Sequence, residues 1–343
     1  MGSEQLVQVT LAAYAAETPT RETFAVVSSA RPTPGPGEVL CRTRYLSLDP
    51  YVRLSMLPPD SNVPRGGAAP LPLGSVISGR GVSEVVESNR PDFVPGDLVA
   101  GETGWQSHSV SDGSQLRRLP AGVSPTAALG VLGMPGFTAW SGLRFIGRPQ
   151  SGDTVSVSAA SGAVGSLVVQ LAKHRGCRVI GFAGSPEKCR WVEQELGADV
   201  CLDHRSSTLR DDFSDLQARV DVYFDNTGGQ PLAAVTPHLT NGARVVVCGR
   251  IAHLNADAGG GRAADALAEF LGMILTRQLT VTGFGWTQFA EHWDAFEAEV
   301  VDAVRTGTIA HREDVVGGGL EVVPETYSRL FRGENFGKLV VEL

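Results

Sequence analysis

Cysteine is scarce in this chain and falls into no recognisable pairing. Cys41, Cys177, Cys189, Cys201 and Cys248 are scattered, odd in number and never in a Cys-x-x-Cys arrangement. That argues against a disulfide framework and against a cysteine-rich structural zinc lobe. Basic residues are also in deficit: 29 Lys and Arg stand against 37 Asp and Glu, a formal net charge of −8. Nucleic-acid binding needs a basic face, so no nucleic-acid partner is expected. A phosphate-bearing ligand would have to be met by locally placed cations or backbone amides. No apolar run approaches the roughly 18 residues of a membrane helix, and no basic segment followed by an apolar one opens the sequence. The expectation is a cytoplasmic protein without a membrane partner.

What remains is globular in character. The 343 residues, 42% of them hydrophobic and 19% charged, suffice for two domains with separate cores. Up to about residue 125 the chain shows short β-like runs broken by Gly and Pro, such as Glu38 to Tyr45, Gly74 to Val86 and Pro95 to Ala100. These suggest a small irregular barrel or sandwich. From about residue 126 strands and helices alternate. Thr154 to Ser158 reads as a strand, Val164 to His174 as a helix, Arg178 to Phe182 as a strand and Pro186 to Leu196 as a helix. Strands follow at Val220 to Phe224 and Ala243 to Cys248, helical periodicity at Ala263 to Leu275 and Phe289 to Val304, and a last strand at Lys338 to Glu342. The fold class is α/β, with a doubly wound parallel sheet over 126–304 and a β domain over 1–125 completed by 305–343.

The segment Ser158-Ala-Ala-Ser-Gly-Ala-Val-Gly165 lies between a strand and a helix and reads Ala-x-Gly-x-x-Gly. Small residues suit a dinucleotide there. Gly162 would let the backbone approach a pyrophosphate, Gly165 would let helix and strand pack closely, and the helix start offers free amides. An isolated match of this kind is as often a plain tight turn; its strand–helix setting raises its weight. About twenty residues on, NAD-binding proteins place an acid for the ribose 2′-hydroxyl. Ala183 and Gly184 stand there instead, followed by Ser185, Lys188 and Arg190. A hydroxyl and a cation at that point favour the 2′-phosphate of NADP(H); Arg190 reads as an ordinary solvated helix residue.

Several further segments, in order along nearly the whole chain, resemble one family. They are Tyr45-Leu-Ser-Leu-Asp-Pro-Tyr-Val-Arg53, Gly133-Met-Pro-Gly-Phe-Thr-Ala-Trp140 and Ala183-Gly-Ser-Pro-Glu-Lys-Cys189. With them go Tyr223-Phe-Asp-Asn-Thr-Gly-Gly229, Val247-Cys-Gly-Arg-Ile251 and Gly333-Glu-Asn-Phe-Gly-Lys338. Together they resemble the zinc-independent medium-chain dehydrogenases/reductases, in the branch of prostaglandin and 2-alkenal reductases. The resemblance implies a Rossmann domain with a GroES-like β-barrel catalytic domain, and a homodimer that extends the Rossmann sheet. It implies an NADPH-dependent reductase that adds hydride to an electron-poor C=C bond of a small-molecule substrate. Residues implied for the cofactor are Gly162, Ala163, Val164 and Gly165 at the pyrophosphate, Lys188 at the 2′-phosphate and Asn226 near the ribose. Cys248, Gly249, Arg250, Ile251 and Asn335 would border the nicotinamide, and Tyr51 and Arg53 would line the pocket.

Where zinc-dependent members of the wider superfamily carry their catalytic ligands, this sequence reads Leu46-Ser-Leu-Asp49, Gly74-Ser-Val76 and Leu132-Gly-Met134. That set offers neither thiolate nor imidazole, so no metal is expected. Two departures from the family pattern stand out. A tyrosine beside the 2′-phosphate is replaced within Asp203-His204, where His204 retains the ability to stack or donate a hydrogen bond. The Gly-x-Ile-Ser-x-Tyr-Asn stretch reads Gly249-Arg-Ile-Ala-His-Leu-Asn255, so Ala252 and Leu254 replace the serine and tyrosine. His253 is the adjacent candidate acid, although a loop histidine is more often merely solvated. A drier, less acidic pocket leaves two alternatives open: a reductive cyclase that delays protonation, and a non-catalytic NADPH-binding protein. Asp221 and Asp225 are read as turn or capping residues, and Phe284 and Trp286 as either pocket lining or core.

Overall fold

A computed structural model describes residues 5–65, 68–254 and 260–343. The chain divides into two units, Met1–Leu129 with Leu254–Ala256 and Glu313–Leu343, and Gly130–His253 with Asp257–Arg312.

The first unit begins with strands β1 (Gln5–Leu11), β2 (Phe24–Ala30), β3 (Val39–Ser47), β4 (Arg80–Ser88), β5 (Leu98–Glu102), β6 (His108–Ser111) and β7 (Arg117–Arg118). The expected strand over Gly74 to Val86 starts only at Arg80. Gly74 takes a φ of 82°, Ser75 N–H closes a turn onto Pro72 O at 3.1 Å, and before the β4 ladder Val76 pairs in an isolated bridge to Thr10 of β1.

The second unit carries helix α1 (Met134–Ser141), β8 (Thr154–Val157), α2 (Gly165–His174), β9 (Arg178–Ala183), α3 (Pro186–Gln194), β10 (Val200–Asp203) and α4 (Leu209–Asp215). It continues with β11 (Val220–Asp225), α5 (Gly229–Val235), β12 (Leu239–Val247), α6 (Gly260–Arg277), β13 (Thr280–Gly283) and α7 (Trp293–Arg305). All its strands pair in parallel in the order β10-β9-β8-β11-β12-β13, so the order reverses between β8 and β11. That is the doubly wound arrangement, whose ligand crevice opens at the carboxyl ends of the two strands at the reversal. Helices cover both faces of the central strands: all four residues of β8 are buried, its Thr154 and Ser156 included, and Ile180, Phe182, Tyr223 and Val245 join Phe213 and Leu239 in one core.

The chain then returns to the first unit through β14 (Glu313–Gly317), α8 (Val323–Arg332) and β15 (Lys338–Glu342). The resulting mixed sheet runs β14-β15-β3-β4-β5-β7, with β6 paired to β3, while β1 and β2 form an antiparallel hairpin. Its core joins residues far apart in sequence. The Trp105 ring lies 5.0 Å from Tyr327 and 5.6 Å from Phe24 between centroids, within a cluster that includes Leu46 and Val341. A buried ion pair fastens the same strands. Lys338 Nζ meets Asp49 Oδ1 at 2.7 Å and donates to Leu48 O at 2.7 Å, while Ser47 Oγ donates to Asp49 Oδ2 at 2.5 Å.

No helix among the described residues is long and apolar enough to cross a membrane, and all five cysteines are unpaired thiols.

Candidate functional site

The turn after β8 is built by main chain. Ala159 adopts a left-handed φ of 48°, and Ala160 donates its N–H to Phe182 O of β9 at 2.8 Å. A Cβ on Gly165 would lie 2.3 Å from Ala159 O, a backbone atom with no room to yield, and one on Gly162 would meet the same oxygen at 3.1 Å. Helix α2 starts with Val164 as its N-cap, and no side chain caps the first amides. The positive end of the helix is therefore open, past Gly162, Ala163 and Val164, to an anionic group.

A hydrogen-bonded hub fixes this turn to its neighbours. Asp225, 3% exposed at the end of β11, gathers four donors on Oδ1: Ser158 Oγ (3.0 Å), Tyr223 OH (3.1 Å) and the amides of Thr227 (3.0 Å) and Gly228 (2.8 Å). Its carbonyl accepts from the amides of Cys248 (2.8 Å) and Gly249 (3.0 Å) beyond β12. Asn226 ties back to the turn, its amide donating to Ser158 Oγ and its Nδ2 to Ser158 O, both at 2.7 Å. Gly249 has to be small, since a Cβ there would lie 2.7 Å from Asn226 O. The carboxyl ends of β8, β11 and β12 are thus one unit at the strand-order reversal. Burial, with Asp225 beside it, pushes the Cys248 thiol up to about 12, so it stays protonated at neutral pH.

Cations converge at the end of β9. Beside Gly184, a Cβ would meet His204 Nε2 at 3.1 Å and Arg205 Nε at 3.6 Å. Ser185 caps α3, its Oγ accepting the Lys188 amide at 3.3 Å, while Lys188 is half-buried and Arg190 exposed. His204 has its pKa lowered from 6.5 by burial and then by Arg205, with Lys188 adding to the effect and Asp203 opposing it. A neutral histidine held among cations marks a place where a dianion is welcome. Arg205 escaped the sequence reading because one arginine in a polar turn looks like any solvated cation; its adjacency to His204 was the available signal.

Beyond β12, Arg250 and Ile251 are half-buried and lead into a single turn of 3₁₀ helix, Ile251–His253. His253 Nε2 accepts the Gly229 amide at 3.2 Å, a bond that requires this nitrogen to be unprotonated, and the ring packs over Gly228. Leu254, in the family tyrosine's place, is 5% exposed. Asn255 lies outside the described residues. The Phe284 ring fills the space over Gly142, the Trp286 ring stands edge-on to Phe137 at 6.3 Å, and both side chains are half-buried.

In the first unit, a 3₁₀ turn over Pro50–Met56 sends adjacent side chains in opposite directions. Tyr51 keeps 43% of its surface exposed, yet protein crowds its hydroxyl. Desolvation, then Asp49 and Glu102, raise its pKa against the opposing Arg80. Arg53, implied to line the pocket, is fully buried. Its Nη2 donates to Ala16 O at 3.0 Å and Glu17 O at 2.7 Å, and burial lowers its pKa. The turn places Val52, Arg53 and Met56 inward, and Arg53 Nη2 fastens the segment after β1, while Arg53 Nε and Nη1 are buried without a hydrogen-bond partner among the described residues. Asn335 Nδ2 donates to Gly337 O at 2.9 Å, shaping the turn into β15. In the stretch matching a zinc-ligand region, Asp49 is already neutralised by Lys338 and bonded by Ser47. No group of three His, Cys, Asp or Glu side chains among the described residues is placed to hold a metal ion.

Residues 7–119 match the family described as the N-terminal domain of oxidoreductase, and residues 163–304 match the zinc-binding dehydrogenase family. The NADPH-dependent curcumin reductase of Escherichia coli K12 is 41% identical over 333 residues, covering 95% of this chain and 93% of its own. The NADP(+)-dependent 2-alkenal reductase of Nicotiana tabacum is 36% identical, covering 90% of this chain and 88% of its own. Prostaglandin reductase 1 of Oryctolagus cuniculus is likewise 36% identical, covering 93% and 88%. Among solved structures, CurA from Vibrio vulnificus in complex with NADPH superposes with a TM-score of 0.89 at 40% identity, covering 98% of each chain.

Proposed function

Because this chain belongs to the zinc-independent medium-chain dehydrogenase/reductase family, in the branch of curcumin, 2-alkenal and prostaglandin reductases, we propose that it uses NADPH to reduce electron-poor carbon–carbon double bonds. The observation that carries this reading is the cationic end of β9. His204 and Arg205 stand beside Gly184, with Lys188 near enough to act on His204, where an NAD-binding protein would place a carboxylate. The residues fit the cofactor: a turn in which a Cβ at Gly165 has no room, an uncapped helix start, and a cluster of donors for a phosphate.

In this reading Gly162 to Gly165 hold the pyrophosphate through main-chain amides. Ser185, Lys188, His204 and Arg205 hold the 2′-phosphate, and Asn226 sits by the ribose. Cys248 to Ile251 and Asn335 border the nicotinamide, which supplies the hydride when bound. Tyr51 is the hydroxyl that the family's pocket-lining segment supplies. That hydroxyl is protonated at neutral pH, as any tyrosine's is, and the raised pKa makes it a hydrogen-bond donor to a substrate oxygen on which negative charge develops rather than a strong acid. His253 is the weaker candidate, since its Nε2 is already engaged as an acceptor.

The test is steady-state turnover of curcumin and of an α,β-unsaturated aldehyde with NADPH and with NADH, with products identified by mass. Saturated product with NADPH preferred at least about tenfold is expected. Cofactor binding without turnover would instead indicate a scaffold, and a ring-closed product a cyclase. Tyr51→Phe should lower kcat about a hundredfold while leaving NADPH affinity unchanged.

Cytoplasmic residence accords with five unpaired thiols. A homodimer accords with the open edge of the parallel sheet at β13, where Val281 is 37% exposed, and with an apolar row on α6, where Leu267, Leu271 and Leu275 are 57%, 54% and 79% exposed. Light scattering on the Leu271→Lys variant should then give a smaller mass than on the parent.

A further inference from the structure

The opposite end of the parallel sheet holds a polar cleft. It has a volume of about 790 Å³ and is lined at the amino ends of the strands by Arg178, Arg219, Asp221, Thr240, Asn241 and Arg277. Arg178 opens β9, and Ala183 closes it; at 3.3 Å per residue that strand alone separates the cleft from the cofactor end by roughly 17 Å. The cleft is shallow and open to solvent, with room for a small molecule held chiefly by its charge.

The charge in this cleft is unbalanced. Arg178 and Arg219 are exposed and have no ion-pair partner among the described residues, in a chain where acids outnumber bases 37 to 29. Nearby Arg244, by contrast, is paired with Asp153 at 2.8 Å. Arg277 is held in place by donating from Nη1 to Leu239 O at 3.2 Å. The single carboxylate in the lining, Asp221, faces this cleft with both oxygens engaged. Oδ2 accepts the Thr154 amide at 2.9 Å, and Oδ1 accepts the Thr240 hydroxyl at 2.8 Å. It would repel an anion, but three guanidinium groups outweigh it. Their planar forks match the oxygens of phosphate and carboxylate groups, and Asn241 adds a neutral donor.

We propose that this cleft is a second ligand site, independent of the cofactor site, for a multivalent anion of metabolite size carrying phosphate or carboxylate groups. The test is calorimetry on the full chain saturated with NADP+ in a buffer free of phosphate, with tripolyphosphate and citrate as separate probes. Binding near one equivalent per chain by at least one probe is expected. Tripolyphosphate alone would identify a phosphate ligand, citrate alone a carboxylate ligand, and both the shared anionic character. The Arg178→Gln/Arg219→Gln variant should weaken binding at least about tenfold. Its far-ultraviolet spectrum and NADPH kinetics should be unchanged, and Arg178→Lys/Arg219→Lys should retain part of the affinity. No heat from either probe, displacement of NADP+, or equal binding by parent and glutamine variant would overturn the proposal.

Discussion

The two units present their functional groups by different means. In the parallel-sheet unit the cofactor end is mostly main chain: turn amides, glycines that admit no Cβ, and a carboxylate whose task is to hold three strand ends together. In the mixed-sheet unit the comparable positions are side chains, and neighbours on one turn meet opposite fates, with Tyr51 43% exposed and Arg53 0%. A main-chain site tolerates almost any side chain but fails at the few glycines. A side-chain site depends on each environment, above all on buried charges that have lost water.

Substitutions can break this contrast. The largest effect is expected in the mixed-sheet unit. Lys338→Met leaves Asp49 buried without its cation and should cost about 3–5 kcal/mol, read by denaturant unfolding. Adding Asp49→Asn should restore part of the loss. In the main-chain site, Gly165→Ala drives a Cβ against Ala159 O and should cost about 3 kcal/mol together with loss of NADPH binding. By contrast, Ala163→Ser should be nearly silent in both assays. Lys188→Ala and Arg205→Ala should each weaken NADPH binding ten- to a hundredfold, about 1.5–3 kcal/mol, without changing NADH binding; calorimetry with both cofactors distinguishes this from a loss of fold.

The smallest expected effect is a pH slope. The folded-state pKa of His204 lies below 6.5, so as pH falls the unfolded chain takes up this proton before the folded chain does. Stability from this group is complete above 6.5 and declines as pH drops through that value toward the lower folded pKa. Thermal melts between about pH 7 and pH 5 should show the decline, and saturating NADP+ should flatten it more than NAD+ does.

How far the sequence could be read follows the same divide. The Ala-x-Gly-x-x-Gly turn, the strands around it and the missing acid after β9 are local features, written in spacing and hydrophobic period. The Asp225 hub spans 67 residues to Ser158, and the Lys338–Asp49 pair spans 289, so no window along the chain could contain either. Asp225 was legible only as a turn residue, which is one part of its role. Arg53 reads as a surface cation in any local view, and only the inward face of its 3₁₀ turn buries it. The early part of the expected strand over Gly74 to Val86 holds a turn and an isolated bridge, Val76 to Thr10, a partner 66 residues away that no local window contains.

The placement of β15 between β14 and β3 bears on how the molecule is made. A ribosome releases the parallel-sheet unit almost as one stretch, complete by Arg312, while β3 has already emerged without the strand that flanks its far end. Until β15 leaves the exit tunnel, that part of β3 offers unpaired peptide groups to any passing strand. A nascent chain stalled short of Lys338 should therefore engage chaperones through its amino-terminal region while its central region has already acquired protease resistance.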